Sequence, residues 1–174
     1  DGVANLGLTH LLPEFEEMRG ADTIADTLTW ISIAEPFETL RDRTEDHADK
    51  TGARPSIFLA TLGPLAEHTA RADFARNFFA AGGIEAKAAP VPPKSNAELA
   101  AAFQASGCKI AVLCGGDKRY AEEAAEAAGA LKTAGAVALW LAGKHEADGI
   151  DGHVFMGCDV VHELTIALAE LGVS

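Results

Sequence analysis

The sequence predicts an α/β fold, with five parallel strands and helices covering both faces of the sheet. Three observations predict it. Short apolar runs alternate with segments of helical period along residues 51–174, and that alternation calls for parallel strands joined by helical crossovers. The third and fourth runs are continuous and apolar, as strands buried on both faces require. Glycines stand in the loops after the first, third and fourth strands, at Gly63, Gly115, Gly116 and Gly143. In a sheet of order 2-1-3-4-5 these loops converge on the crevice outside the strands' carboxyl ends, where such sheets bind ligands.

Residues 1–50 read as a helical linker or tail preceding an α/β domain over residues 51–174. Leu8, Leu11, Leu12, Phe15 and Met18 share a helical stripe, with Pro13 suited to a helix start. Ile24, Leu28 and Ile31 form a second stripe; Pro36 opens a further helix with Phe37 and Leu40 on a narrow apolar edge. The charged run 41–50 is expected to be a solvated helix face and linker. So short a helical segment cannot bury its stripes alone, and must lean on the next domain or on a partner. Thr51 to Pro55 marks the boundary.

The first strand is expected over residues 56–60, ended by Thr61, Leu62, Gly63 and Pro64. From Leu65 the period becomes helical, with Ala66, Ala70, Phe74 and Phe78 recurring every four residues until Gly82 and Gly83. A weaker strand over 84–89 leads into a proline-rich loop at 90–93. Ser95 and Glu98 have capping-box spacing and open a helix that runs to about Ser106 and ends at Gly107. The third strand is 110–114; a long Ala/Glu helix spans 120–133 and stops at Gly135. The fourth strand is 136–142, and 144–151 is polar, with room for at most a turn or two of helix. A fifth strand at 154–156 and a helix over 159–171, with Val160, Leu164, Ala167 and Leu171 on one side, complete the order.

Composition narrows the functions. A chain of 174 residues with 48% apolar content suits one domain, or a domain with an appendage, and can bury a sizeable core. The net charge of −12 repels phosphate backbones and anionic headgroups, so nucleic acid and membrane surfaces are not expected partners. Residues 1–50 hold 12 acids and 4 bases, a net −8 that sets them apart. No stretch of eighteen uncharged apolar residues occurs, so no membrane span is expected. Cys108, Cys114 and Cys158 are odd in number and lack Cys-x-x-Cys spacing, which argues against a disulfide framework or a zinc site and for a reducing cytoplasm. The chain opens at Asp1 with no basic-then-apolar leader and reads as a fragment or processed product.

Candidates for chemistry are few. Cys114, at a strand end beside Gly115 and Gly116, would let a ligand tail or a helix approach, but reads first as a buried thiol before a turn. Asp117, Lys118, Arg119 and Tyr120 read as a helix start, with Asp117 favouring the positive end of the dipole. Gly143, Lys144, His145 and Glu146 match neither phosphate-loop nor zinc-protease spacing. Glu122 and Glu123 read as exposed helix charges, and Trp30 and Trp140 as core or interface anchors.

Several runs resemble the small (β) subunit of bacterial methylmalonyl-CoA mutase. They are Ala34 to Arg43, Arg54 to Pro64, Glu67 to Arg71, Phe74 to Ala86, Ile110 to Cys114 with Asp117, Lys118 and Tyr120, Leu141 to Gly143, and Gly157 to Asp159. The likeness covers about residues 34–174; residues 1–33 match loosely and the family's barrel domain is absent. It implies a flavodoxin-like (Rossmann-like) sheet of the cobalamin-binding-domain type, the family's C-terminal domain.

In the family's catalytic large subunit the first loop carries Asp-x-His-x-x-Gly, whose His coordinates cobalt and whose Asp orients the ring. On that pattern this chain has Leu65 for Asp, Glu67 for His and Ala70 for Gly. The resemblance therefore implies a non-catalytic, degenerate copy with no catalytic, metal or cofactor-binding residues of its own. Its expected role is to support a large subunit, in a heterodimer, that isomerises methylmalonyl-CoA and succinyl-CoA with adenosylcobalamin. Crevice candidates, should a ligand bind, are Gly63, Glu67, His68, Cys114, Gly115, Gly116 and Gly143. His68, one residue past the ligand position, is expected as a surface or inter-subunit histidine; a step of one residue turns a helical side chain by about 100°. Asp151, His153 and Gly157 mimic the motif with wrong spacing, and His153 is expected at a strand edge. A cobalamin carrier or sensor module, and a domain for another small molecule in the same crevice, are the alternatives.

Overall fold

A computed structural model describes residues 34–173. The stripes assigned to Leu8–Met18 and Ile24–Ile31, and Trp30, lie outside the described residues. The described elements are α1 (Glu35–Thr51), β1 (Ser56–Thr61), α2 (Leu65–Ala81), β2 (Glu85–Ala88), α3 (Asn96–Ser106), β3 (Ile110–Cys114), α4 (Asp117–Thr133), β4 (Ala138–Ala142), β5 (Gly152–Val154) and α5 (Val160–Glu170). The strands form one parallel sheet of order β2-β1-β3-β4-β5. This is the flavodoxin-like arrangement. The order reverses between β1 and β3, where Ile57 pairs with Ile110 and Thr61 with Cys114.

The period of two along each strand divides the core. Ile57, Leu59, Ile110, Val112, Trp140 and Ala142 face α1, α2 and α5; Phe58, Ala60, Ala111, Leu113, Leu139 and Leu141 face α3 and α4. Every residue of β3 and β4 is buried, as their continuous apolar runs require. Phe79 meets Trp140 edge-on at 6.3 Å on one face, and Phe58 meets Phe103 at 5.9 Å on the other. Each such ring removed from water stabilises the fold by about 1.5–3 kcal/mol. The capping box forms at α3: Ser95 Oγ accepts from the Glu98 N–H, and Glu98 reaches back to the Lys94 N–H at 2.9 Å.

Residues 34–173 lie in one compact unit, so the change of composition near residue 50 falls inside it. Leu40 is buried in the core of the α1 side. Arg41 donates to the Ala81 carbonyl and Arg43 to that of Val173, tying α1 to the end of α2 and to the residues after α5.

Several expectations are corrected. The buried line of α2 is His68, Ala72, Ala75 and Phe79 with Phe78, while Ala66 and Ala70 are exposed. Alanine is too weakly apolar to choose a face; Phe79 packed against Trp140 chooses it. The surface position expected for His68 is also wrong, since it is 4% exposed. Helix α4 begins at Asp117, as the reading of Asp117 to Tyr120 as a helix start has it, and so extends three residues before the Ala/Glu segment 120–133. Strand β5 lies two residues earlier than expected, because Asp151 joins the ladder: its carboxylate accepts the Leu139 N–H and pairs with Lys132. Met156, expected in that strand, is 87% exposed.

Candidate functional site

The carboxyl ends of β1, β3 and β4 bring three loops together, as the sheet order requires. Beyond β1, Leu62 continues the ladder by donating to the Cys114 carbonyl, and Gly63 turns the chain at φ +76° into Pro64 and α2. His68, one turn into α2, has Nδ1 3.1 Å from the Gly63 carbonyl, which makes Nδ1 the protonated nitrogen. The imidazole thus braces the loop from below.

Glu67, in the first turn of α2, accepts from Arg119 Nε at 2.7 Å. Arg119 Nη1 donates to Glu123 at 2.6 Å, so one guanidinium bridges α2 and α4 between two carboxylates. Hydrogen bonds to Glu67 and then Glu123 raise the already high proton affinity of Arg119. Its guanidinium lies where a side chain at Gly63 would go: a Cβ there would sit 2.9 Å from Arg119 Nε and from Glu67 Oε2.

Beyond β3 the Cys114 thiol is fully buried and points at the Val112 carbonyl. Burial pushes its pKa up to about 12 despite Arg71 and Arg76, so at neutral pH it is a thiol and no nucleophile. The Gly115 N–H donates to Tyr120 Oη at 2.8 Å, and that hydroxyl lies 2.9 Å from the Ala142 carbonyl and 3.0 Å from that of Leu113. Tyr120 therefore ties the loop after β3 to the end of β4. Burial, then the neighbouring Cys114, push its pKa up to about 12. Gly116 is the N-cap of α4.

Beyond β4, Gly143 has φ +148°, and a side chain there would collide with the Arg71 guanidinium. Arg71 donates to the Ala142 carbonyl at 2.9 Å and to Asp117 at 2.6 Å, and lies 5.1 Å above the Tyr120 ring. Burial draws its proton affinity down, but the bonds to Asp117 and Tyr120 outweigh that and raise it. His145 stacks on the Tyr120 ring at 6.0 Å, and its carbonyl accepts from His153 Nε2 at 3.0 Å. His153 lies on edge strand β5.

The seven crevice candidates do not share one cavity. Gly143 lines an open cleft of about 580 Å³ at the ends of β4 and β5, with Arg71, Phe74, Lys144, Phe155 and Met156. Gly63 borders a depression of about 390 Å³ beneath the proline-rich loop. Glu67 and Gly116 border a third, of about 230 Å³. Cys114, Gly115 and His68 are buried beneath these. Sequence reasoning missed Arg71 and Arg119 as the groups that close the loops, and took Tyr120 only for a helix start. The i,i+4 spacing of Arg119 and Glu123 was the one local signal; the contacts that close the loops, Arg71 with Asp117 and Ala142 and Arg119 with Glu67, span 46–71 residues.

These residues do not fit a histidine-ligated corrinoid. Glu67 is held by Arg119, Leu65 is an apolar side chain 67% exposed with nothing to orient a ring, and His68 is buried with Nδ1 engaged. Among the described residues, no group of three or more His, Cys, Asp or Glu is placed to hold a metal ion.

No family model matches the chain. Among curated proteins, the methylmalonyl-CoA mutase small subunit of Streptomyces virginiae is 52% identical over 141 residues, 80% of this chain and 23% of that protein. The probable small subunit of Mycobacterium tuberculosis (strain ATCC 25618 / H37Rv) is 40% identical over 141 residues, 78% of this chain and 23% of its own length. That of Propionibacterium freudenreichii subsp. shermanii is 38% identical over 156 residues, 84% of this chain and 24% of its own. The chain spans about a quarter of the length of these relatives. Over the matched residues, the chain belongs to the methylmalonyl-CoA mutase small-subunit family.

Proposed function

We propose that the chain is a non-catalytic, degenerate cobalamin-binding-like domain that supports a mutase large subunit. In this reading the partner isomerises methylmalonyl-CoA and succinyl-CoA with adenosylcobalamin in a cytoplasmic heterodimer. This domain supplies packing surface and stability, and no cofactor contact. Residues 1–50 are the helical tail leading into the domain over 51–174, the last helix of that tail being folded back on α5. The observation that carries the reading is Glu67 tied to Arg119 where a cobalt-facing imidazole would stand. The family supports the partner class, since its members are named small subunits. Among the described residues no helix is long and apolar enough to cross a membrane.

The test is a spectral titration of the purified chain with hydroxocobalamin and adenosylcobalamin. The reading predicts free-corrin spectra throughout. A saturable, base-off spectrum with a histidine ligand would overturn it in favour of a cobalamin carrier, and His68→Ala would then identify the nitrogen.

A further inference from the structure

The cleft at the carboxyl ends of β4 and β5 has a chemistry of its own. Its volume of about 580 Å³ lies in the range of small-molecule sites. Phe74, Val154, Phe155 and Met156 give it apolar walls. Met156 is 87% exposed, an apolar side chain left in water at the edge of a cavity. Its polar side chains are Arg71, Lys144, Asp117 and His145. Lys144 Nζ stands 4.6 Å over the Phe155 ring and has no ion-pair partner among the described residues. Arg71 is held in place by Asp117 and the Ala142 carbonyl.

Arg71 and Lys144 against Asp117 leave the charged lining one unit positive, in a chain of net charge −12. A local positive spot in a negative field turns away polyanions and admits small ones. The apolar walls add a second requirement, because a bare inorganic ion would leave them wet.

We propose that this cleft binds a small organic anion, a phosphate or carboxylate head on an apolar body, with Lys144 and Arg71 taking the head. Phe74, Phe155 and Met156 cover the body. Lys144 is the group available to respond, since Arg71 is already committed to two partners. The inference goes beyond the small-subunit reading and does not depend on it: the corrin titration and the one below fail separately.

The experiment is calorimetric titration of the 174-residue chain at low salt with four probes: adenosine monophosphate, hexanoate, adenosine and inorganic phosphate. Adenosine monophosphate or hexanoate should saturate with a Kd below about 1 mM. Adenosine, which lacks the charge, and inorganic phosphate, which lacks the body, should each bind at least about tenfold more weakly than the better of these. Which head group wins separates a phosphate from a carboxylate site. Lys144→Ala, an exposed position that leaves the core untouched, should weaken binding about tenfold, and Lys144→Arg should restore it. The proposal is overturned if neither organic anion saturates, if inorganic phosphate binds as well as the better one, or if Lys144→Ala leaves the affinity unchanged.

Discussion

On the β1–β3 side of the carboxyl rim, Arg119 is drawn over Gly63 by Glu67 and Glu123. On the β4–β5 side, Arg71 is drawn back against Gly143 by Asp117 and the Ala142 carbonyl, and a cleft of about 580 Å³ stays open beside it. Both sides use the same device, a glycine loop with an arginine from a neighbouring helix lying against it. The two differ in their second contact: Arg119 meets Glu67 across on α2 and Glu123 on its own helix, whereas Arg71 meets Asp117 across on α4 and the Ala142 carbonyl on the sheet. The backbone of such a fold therefore provides the shape of a crevice, and the side chains of the flanking helices decide whether it is filled.

The comparison assumes one rigid floor beneath both sides, and the largest test removes it. Phe79→Ala empties the contact with Trp140 and should cost about 3–5 kcal/mol in chemical denaturation. A loss below about 1 kcal/mol would mean that the α1 side of the sheet does not hold the rim.

Alkali should act next. The fold holds the Cys114 thiol and the Tyr120 hydroxyl protonated, raising the first from 9.0 to about 12 and the second from 10.0 to about 12. The folded state thus binds these protons more tightly than the unfolded chain. The stability they confer is complete below about pH 9 and is lost as pH rises through 10 towards 12. Denaturant midpoints at rising pH should fall over that window, and should fall less steeply in Cys114→Ala and in Tyr120→Phe. Equal slopes in all three proteins would show that neither group is held as described.

The β1–β3 side can then be probed directly. Gly63→Ala places a side chain at φ +76° and against Arg119, and should cost about 1–2 kcal/mol from the backbone alone. Glu67→Gln should have the smallest effect, a lower melting temperature at low salt that fades in roughly 1 M salt as the charge pair is screened. Persistence of the full loss at high salt would mean that Glu67 acts by packing and not by its charge.

Much of this architecture was readable in the residues. The all-apolar runs of β3 and β4 gave two central strands, and Ser95 with Glu98 marked the start of α3. The face of α2 was not readable, because Ala66 and Ala70 compete with Ala72 and Ala75 on nearly equal terms and only the contact of Phe79 with Trp140 separates them. The position of β5 was hidden for a similar reason: the deciding groups, Asp151 with Leu139 and Lys132, lie on other elements. At the rim the carboxylate of Glu67 near the start of α2 was legible at once. Its partner was not, since Arg119 lies 52 residues further on and only the fold brings the two together.

The proposed reading rests on Glu67, a carboxylate engaged by Arg119, standing where a cobalt-facing imidazole would be needed. Its most direct measurement is the electron paramagnetic resonance spectrum of cob(II)inamide, which carries no nitrogenous base of its own, mixed with the protein. The account predicts no nitrogen splitting of the cobalt lines. A threefold splitting from one protein nitrogen would contradict it.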